Sequence, residues 1–365
     1  MRITFVLPCF NLSGGIRVAS IYADRLHKRG HQVLAVAPCE RGPSLKEKVL
    51  SLLRGRGWPA DPVQGPSHFD RLDVPHRLLP HPWPVTEADL PDADVLVATW
   101  WHSVEWVAPV SPAKGVKVHF MQGYEVFADR PEVVEATYRR PIPKIVISSW
   151  LRDLVQTKFG QTPIALVPNS VDTTTFHAPP RGKQPAPTVG FIYSTQSIKG
   201  CDIMLKAYDR AAAALPGLRL VAMSNDEVSA ELPLPAGAEF IHHARDQTLR
   251  DTYARCDAWL SGTREEGFGL PILEAMACRT PVIATPAGAA PELLAGGGGV
   301  LVPHEDPEAM AQAVVKVCSL PEADWRALSD KALGTATGYT WDDATDLFEK
   351  ALVGALERSR GLART

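Results

Sequence analysis

The sequence predicts an α/β protein made of two doubly wound, Rossmann-like domains, each with a mainly parallel sheet. Three observations support this fold class. The chain has 365 residues, which is long for a single domain. Short apolar runs alternate with helical patterns from end to end, as in parallel-sheet proteins. A segment with four prolines, residues 179–187, divides this alternation into two halves of similar length.

These patterns predict a first domain over residues 1–178, a linker over 179–187 and a second domain over 188–340. The last helical pattern begins at Trp341 and is amphipathic, so we expect the segment 341–365 to pack back on the first domain. Ligands of open parallel sheets bind outside the carboxyl ends of the strands. Two such sheets facing each other would place those ends around one cleft.

The first half opens with the clearest strand–helix–strand unit. Its amphipathic helix is ended by Gly30. The predicted elements of this half are a strand over 3–7, a polar loop over 11–15, a helix over 16–29, and strands over 31–37, 94–98, 116–121 and 144–148. Prolines are frequent between residues 58 and 91 and periodicity is weak, so we predict irregular loops there.

The alternation restarts after the proline-rich segment. The predicted strands of the second half cover residues 188–193, 218–223, 239–242, 258–261, 281–284 and 299–302. Helical patterns separate these runs, and the pattern between 258–261 and 281–284 contains the most informative motif of the chain.

Composition excludes several classes of protein. The chain is 45% hydrophobic and 22% charged, and its net charge of −3 gives no electrostatic footprint for nucleic acid. Six scattered cysteines without a C-x-x-C pair and eleven histidines without an H-E-x-x-H pattern favour reduced thiols in a cytoplasmic protein, with no metal site. The apolar start is too short for a signal peptide, and no stretch approaches the roughly 20 residues that cross a bilayer.

Two glutamates eight positions apart, Glu266 and Glu274, flank a Gly-Phe-Gly-Leu-Pro turn. Pro271 suits the first helical position, and the backbone N–H groups from Gly269 to Leu273 would then form an anion site at a helix N-terminus. A phosphate bound there would lie between two carboxylates that accept hydrogen bonds from hydroxyls, which suits a nucleotide-sugar. The alternative is a loop glutamate and a glutamate that only stabilises its own helix dipole.

The strand before this motif, the run E-G-F-G-L-P-I-L-E-A-M-A and the following strand P-V-I-A-T together resemble the donor-binding signature of retaining glycosyltransferases of family 4, also called glycosyl transferases group 1. The resemblance covers most of the second half and, more loosely, the first. It implies the GT-B fold, two Rossmann-like domains facing across a cleft. It also implies retaining, hexosyltransferase-type transfer of a sugar from a nucleotide-diphosphate sugar to an acceptor hydroxyl, with no metal and no other cofactor. The favoured account of the family is a front-face reaction without an enzyme nucleophile.

The resemblance also implies roles for individual residues. Glu266 would contact the donor sugar and oppose positive charge at the anomeric carbon, and Glu274 would hold the ribose. Lys199, followed by Gly200, would receive the diphosphate. The remaining predicted donor contacts are Gly267, Phe268, Gly269 and Leu270 in the motif, and Gly14 and Gly15 in an N-terminal glycine loop.

The chain departs from the family pattern at two places. Ser194, followed by Thr195, stands where the family usually has an arginine that pairs with the diphosphate. Two hydroxyls bond a phosphate without neutralising it, so we consider Arg17 and Arg264 as replacement cations. The alternative for each is an ordinary surface arginine.

The second departure is Gln122, which stands where many relatives carry a cleft histidine. A glutamine orients a hydroxyl but cannot act as a base, which is consistent with a front-face reaction. His102 and His119 are further candidate acceptor contacts. The alternative is that each histidine is simply packed among aromatic side chains.

Several alternatives stay open at this stage. One is a non-catalytic subunit that binds a nucleotide-sugar; others are a nucleotide-sugar epimerase or a phosphorylase of the same fold. The acceptor is undefined and includes glycans, lipid-linked acceptors and natural products. The basic run 25–29 is a candidate contact with an anionic membrane, which would make the protein peripheral. The alternative for this run is a solvated helix end whose cations offset the dipole.

Overall fold

The computed structural model describes residues 1–60, 64–127 and 129–362. The chain divides into two compact units. The first unit comprises Met1–Val146, Arg152–Val167 and Thr345–Thr365, and the second comprises Ile147–Leu151 and Pro168–Ala344.

The predicted linker lies inside the second unit, which resumes at Pro168, well before residue 188. Arg181 donates to the carbonyl of Cys256, and the Lys183 ammonium lies 3.2 Å from the Cys318 carbonyl. The prolines of 179–187 therefore mark an extended segment packed on the second unit, and the division between units falls about ten residues earlier.

The described part of the first unit contains a seven-stranded parallel sheet in the order β3-β2-β1-β4-β5-β6-β7. Its strands are β1 (Arg2–Val6), β2 (Gln32–Ala37), β3 (His76–Leu78), β4 (Val95–Ala98), β5 (Val116–Met121), β6 (Lys144–Val146) and β7 (Ala165–Leu166). The helices that begin before residue 160 are α1 (Gly14–Lys28), α2 (Leu45–Leu53), α3 (Trp101–Val107), α4 (Pro131–Arg139) and α5 (Ser149–Phe159).

Two elements of the first unit differ from the prediction. The short strand β3 lies in the region predicted to be irregular, where Ala35 of β2 pairs with His76. Its three residues are exposed, so they form no apolar run that pattern analysis can detect. The helix α2 lies between two predicted strands and was not expected.

The described part of the second unit contains a six-stranded parallel sheet in the order β10-β9-β8-β11-β12-β13. Its strands are β8 (Thr188–Ile192), β9 (Arg219–Ser224), β10 (Glu239–His242), β11 (Ala258–Ser261), β12 (Val282–Ala284) and β13 (Gly299–Leu301). The later helices are α6 (Cys201–Ala214), α7 (Asp246–Ala254), α8 (Leu270–Ala277), α9 (Ala290–Leu294), α10 (Pro307–Cys318), α11 (Glu322–Thr337) and α12 (Trp341–Leu362).

Both sheets confirm the predicted α/β class with two doubly wound units. In each sheet the strand order reverses once, between β1 and β4 and between β8 and β11. Such a reversal opens a crevice at the carboxyl ends of the two strands, which is where ligands bind in doubly wound folds. These two positions therefore define where functional residues are expected.

The C-terminal helix completes the core of the first unit. Phe348 of α12 stacks on Tyr22 of α1 with ring centroids 4.3 Å apart, and its ring also contacts Phe5 and Phe120. Phe348 and Phe5 are fully buried. Burial of a phenylalanine side chain contributes roughly 1.5 to 3 kcal/mol, so this contact is a substantial part of the packing of the unit.

Within the described ranges, every helix is too short or too polar to cross a membrane. The same ranges contain no group of three or more histidine, cysteine or acidic side chains arranged to hold a metal ion.

Candidate functional site

Three loops of the second unit meet at one edge of its sheet. β8, β11 and β12 are neighbours, and the loops 193–200, 262–269 and 285–289 follow their carboxyl ends. Because the strands are parallel, these loops lie on the same side, and the first two flank the reversal of strand order. The predicted donor residues of the second unit thus lie at the expected crevice.

The predicted cation and the predicted catalytic carboxylate form an ion pair. Lys199 Nζ lies 2.8 Å from Glu266 Oε2, although the residues are 67 positions apart. The Lys199 side chain is 36% exposed and the Glu266 side chain 27%. Both groups therefore retain a surface that a ligand can reach, with opposite charges side by side.

Gly200 fixes the position of Lys199 against the neighbouring loop. It adopts the left-handed region with φ of +64°, and a Cβ at this position would lie 1.9 Å from the carbonyl oxygen of Gly262. Only glycine permits that approach of two backbones. The Lys-Gly pair therefore has a structural reason: the glycine lets the 193–200 and 262–269 loops touch where the lysine meets Glu266.

Arg264 lies between two carboxylates. Its guanidinium donates to both carboxylate oxygens of Asp202, at 2.9 and 3.0 Å, and to Glu305. The hydrogen bonds with Arg264 lower the pKa of both acids. Because two carboxylates already offset the Arg264 charge, this geometry speaks against its predicted role as the replacement for the missing diphosphate arginine.

Arg264 instead connects the loops. Its backbone N–H donates to the carbonyl of Ile198 at 2.8 Å, and its side chain also donates to the carbonyl of Ser197. These bonds tie the short 3-10 turn before Lys199 to the loop that carries Glu266. The structure therefore gives Arg264 a positioning role.

The turn after Glu266 is held by residues that the sequence did not indicate. The Gly267 carbonyl accepts hydrogen bonds from Ser148 Oγ at 2.9 Å and from Trp150 Nε1 at 3.1 Å. On the other side, the Ala289 N–H donates to the Phe268 carbonyl at 2.9 Å. These bonds orient both peptide planes of the turn. Ser148 and Trp150 lie well over one hundred positions away, and no local pattern links them to the motif.

The start of α8 partly matches the predicted anion site. Gly269 precedes the helix with φ of +101°, and Pro271 lies in the first turn. The Ile272 N–H, however, donates to the Gly269 carbonyl at 2.9 Å. The Ile272 N–H is therefore not available to an anion, which corrects that part of the predicted site, and the backbone of Phe268, Gly269 and Leu270 remains a predicted donor contact.

Glu274 lies inside α8 and is only 5% exposed. The phenol of Tyr253, on α7, donates to Glu274 Oε2 at 2.8 Å. This bond orients the carboxylate and takes part of its hydrogen-bonding capacity. Tyr253 was not singled out from the sequence, because the pairing of α7 with α8 is a tertiary contact.

Ser194 and Thr195, which stand where the family usually has an arginine, follow the carboxyl end of β8. Ser194 Oγ accepts the Gln196 N–H at 3.2 Å, and the Ser194 N–H donates to Cys201 Sγ at 3.1 Å. Thr195 is exposed. Neither side chain carries charge, so the missing positive charge is not restored at this position.

The first unit brings another set of predicted residues together. Gly14 and Gly15 begin α1 just after β1, and Gln122 follows β5. Gln122 Nε2 donates to the Gly15 carbonyl at 3.1 Å across 107 residues. Arg17 lies half-buried in the first turn of α1. These residues share the carboxyl edge of the first sheet.

His102 lies in a cluster of tryptophans. The centroid of its ring lies 4.4 Å from the ring centroid of Trp83 and 5.9 Å from that of Trp106. Burial lowers the pKa of His102, which favours the neutral imidazole. The ring is half-buried and so keeps a surface that a ligand can reach.

His119 corrects a prediction. Its ring is fully buried in the middle of β5 and stacks on Tyr138 with centroids 5.8 Å apart. Burial lowers the pKa of His119 to about 3. A fully buried imidazole cannot touch a bound acceptor in this structure, so His119 is a core residue.

Comparisons with known proteins confirm the predicted resemblance. The family model described as Glycosyl transferases group 1 matches residues 186–319, which include Lys199, Glu266 and Glu274. A similar curated protein is a D-inositol 3-phosphate glycosyltransferase of Mycobacterium avium, 30% identical over 171 residues. That alignment covers 43% of this chain and 39% of the relative, so the similarity spans about two fifths of the relative's length.

Solved structures extend the likeness to the whole chain. Sucrose-phosphate synthase from Thermosynechococcus elongatus has a TM-score of 0.70 at 17% identity and covers 100% of both chains. Anabaena HepE in complex with UDP has a TM-score of 0.73 at 16% identity and covers 97% of this chain and 100% of the other. The chain has the two-domain, Rossmann-like GT-B fold.

Proposed function

We propose that this GT-B chain, with its group 1 segment at residues 186–319, is a retaining glycosyltransferase. It would move a hexose from a nucleotide-diphosphate sugar to an acceptor hydroxyl without a metal ion. The observation that carries the proposal is the ion pair between Lys199 and Glu266 at 2.8 Å, placed beside the start of α8 at the strand reversal of the second unit. The complex of HepE with UDP supports a nucleoside-diphosphate leaving group.

In this proposal Lys199 and Glu266 act on different parts of the bound donor. Lys199 opposes the negative charge that develops on the departing diphosphate. Glu266 accepts hydrogen bonds from donor-sugar hydroxyls and opposes the positive charge at the anomeric carbon. Fixed charges of this kind stabilise a transition state without reorganisation at the moment of reaction.

The bonds change in one place. The bond between the anomeric carbon and the diphosphate oxygen breaks, and the acceptor oxygen bonds to the same face of that carbon. The acceptor proton passes to the departing phosphate oxygen, so the products are the glycosylated acceptor and the nucleoside diphosphate. The enzyme supplies orientation and charge, because no protein nucleophile takes part.

The loop contacts account for that orientation. Gly200 and Arg264 hold Lys199 against the Glu266 loop, and the Ser148 and Trp150 side chains fix the following turn. Glu274, oriented by Tyr253, would hold the ribose. A misplacement of about 1 Å can lower a rate by roughly 100-fold, so these contacts are part of the proposed catalysis.

The test is release of nucleoside diphosphate from a panel of nucleotide-sugars, with and without candidate acceptors. Glu266→Ala should reduce kcat by about 100-fold or more, since it removes a charge that acts in the transition state. Glu265→Ala is the matched control, because Glu265 is the adjacent carboxylate and is exposed. Equal turnover by both variants would contradict the role of Glu266.

Further measurements separate the alternatives. Nuclear magnetic resonance of the product anomer should show the donor configuration, and turnover should persist in a metal chelator. Donor binding without diphosphate release for any acceptor would instead identify a binding subunit. A nucleotide-sugar that changes configuration while its diphosphate stays attached would identify an epimerase.

A further inference from the structure

The helix α2 exposes its apolar side chains to solvent. Leu45, Leu52 and Leu53 are 71%, 55% and 78% exposed, and Val49 and Leu50 are exposed as well. Within the described ranges, no residue of α2 is buried. A surface helix of a globular protein normally directs its apolar stripe into the core, so this helix is oriented the wrong way for a structural element.

The exposed apolar residues of α2 lie along one side of the helix. Leu45, Val49, Leu52 and Leu53 are spaced at i, i+4, i+7 and i+8, and so form one stripe along the helix. The half-buried Ser51 lies on the opposite side, and the half-buried Lys48 borders the stripe. The helix thus presents its apolar stripe to solvent.

The surroundings of this stripe are strongly basic. Residues 41–58 contain five basic residues and one acidic residue, a net charge of +4, whereas the whole chain has −3. The single acid, Glu47, accepts the Ser44 N–H at 2.6 Å as part of the capping box that starts the helix. The five basic residues are Arg41, Lys46, Lys48, Arg54 and Arg56.

An exposed tryptophan follows the helix. Trp58 is 56% exposed, and the Lys48 ammonium lies 6.0 Å from the centre of its ring. Tryptophan and basic side chains around an apolar stripe are the composition of helices that lie in the headgroup region of a membrane. Clusters of four to eight lysines and arginines bind anionic lipid through long-range attraction.

The charge also argues against a second copy of the chain as the partner. A symmetric dimer through this face would bring two sets of +4 charges together around the apolar stripe. Like charges across an interface are repulsive, whereas a lipid surface of opposite sign is attractive.

The basic run 25–29, the first candidate for a membrane contact, is a weaker one. Arg29 forms ion pairs with Asp346 at 2.6 Å and Glu349 at 2.9 Å, and Lys28 pairs with Asp24 at 2.7 Å. Leu26 is fully buried. This run therefore offers no apolar surface comparable to that of α2, and its cations Lys28 and Arg29 pair with carboxylates.

We propose that residues 41–58, the α2 surface, bind an anionic phospholipid bilayer, with the leucine stripe in the headgroup region and the basic side chains against lipid phosphates. The helix lies on the membrane and does not cross it. This inference stands independently of the proposed transferase activity.

The test is sedimentation of the full chain with two kinds of vesicle, phosphatidylcholine alone and phosphatidylcholine mixed with phosphatidylglycerol. We expect binding to the mixed vesicles at low salt and a marked loss of binding at high salt, because surface charge is screened. The variant Leu45→Ser/Leu52→Ser/Leu53→Ser should lower the partition coefficient by about tenfold or more, since it removes the apolar stripe. The variant Lys46→Gln/Arg54→Gln/Arg56→Gln should abolish the preference for phosphatidylglycerol.

Two controls test the location of the site. The variant Arg25→Gln/Lys28→Gln removes charge from the other basic run, and Leu347→Ser removes an exposed leucine from α12. Both should bind vesicles like the unchanged protein. Because the substituted residues of α2 are exposed, its variants should keep the circular dichroism spectrum and thermal midpoint of the parent chain.

Two outcomes would overturn the proposal. One is vesicle binding that neither α2 variant reduces. The other is absence of vesicle binding together with a concentration-dependent mass, measured by light scattering, that the serine variant lowers to that of a monomer. The second result would assign α2 to a protein–protein interface.

Discussion

The carboxyl edges of the two sheets differ in how tightly their loops are fixed. In the second unit, the loops after β8, β11 and β12 are short and touch one another through backbone contacts such as Gly200 to Gly262. In the first unit the connections are longer, since residues 38–75 separate β2 from β3 and residues 79–94 separate β3 from β4. The family model matches only residues 186–319, although the structural likeness covers the whole chain. The segment that the family model matches therefore contains the sheet edge at which close backbone contacts restrict which residue can occupy a position.

We expect the largest loss of stability when the contact between two loops of the second unit is disturbed. Gly200→Ala would place a Cβ 1.9 Å from the Gly262 carbonyl oxygen, at a positive φ. We expect a loss of about 3 to 5 kcal/mol in the free energy of unfolding, because backbone must move on one side or the other. Urea unfolding followed by the fluorescence of the buried Trp259 and Trp325 measures it.

Gly217→Ala provides the matched control for that experiment. Gly217 has a similar positive φ of +85°, and a Cβ there meets nothing within 4 Å. This substitution should cost only about 1 kcal/mol, the price of the left-handed conformation alone. Equal losses in the two variants would mean that the contact between the loops contributes nothing.

In the first unit, a buried carboxyl should make the stability of the fold depend on pH. Glu125 is 1% exposed after β5 and accepts the Trp101 N–H at 2.9 Å, and burial raises its pKa to about 8. Between its ordinary value, near 4.5, and about 8, the carboxyl is protonated in the folded chain and ionised in the unfolded chain. Unfolding then releases a proton, so stability falls as pH rises through that window.

Glu125→Gln should remove this pH dependence. The amide oxygen can still accept the Trp101 N–H but does not titrate, so the variant should lack a slope of about 1.4 kcal/mol per pH unit. Urea midpoints between pH 5 and 8 measure it, with the exposed Glu132→Gln as control. Parallel pH profiles for the parent and Glu125→Gln would show that the buried carboxyl is already ionised.

A smaller effect is expected from the cation that connects the loops. Arg264→Met removes the bonds to Asp202 and Glu305, and Asp202 keeps only its long pair with Lys206 at 4.0 Å. We expect a loss of about 1 to 2 kcal/mol of stability together with weaker donor binding. Arg210→Met, which removes a surface pair with Glu308 at 3.5 Å, should change little. A large fall in kcat at unchanged stability would instead restore Arg264 as a diphosphate contact.

The smallest effect concerns the first unit's predicted acceptor contact. Gln122→Ala removes one hydrogen bond, to the Gly15 carbonyl. If Gln122 orients the acceptor, the acceptor KM should rise by about threefold to tenfold, the equivalent of one neutral hydrogen bond. The exposed Gln312→Ala is the control. An unchanged KM would limit Gln122 to bracing the glycine loop.

The sequence could predict features that local patterns mark, but not contacts between distant segments. The central strands of both sheets were predicted because buried parallel strands are continuous apolar runs. The Lys199 and Glu266 positions followed from a local motif and its resemblance to a family. The partners of these residues did not, since the bonds from Ser148, Trp150 and Tyr253 join distant segments through tertiary folding.

The misses in the first unit have a different cause. β3 is exposed and three residues long, so no alternation marks it. α2 does carry a local signal, the capping box of Ser44 and Glu47, which could have located its start. His119 was misplaced because the sequence shows a histidine in a strand but not which segments cover it.

The position of Phe348 has a consequence for biosynthesis. A ribosome releases the chain from its amino end, so β1 and α1 emerge long before the residue that fills the space between Phe5 and Tyr22. The second unit ends at Ala344, before Phe348 is added to the chain. We therefore expect the first unit to complete its core only after the second unit has been synthesised. Protease digestion of ribosome-bound chains stalled before and after residue 348 should show the second unit protected earlier.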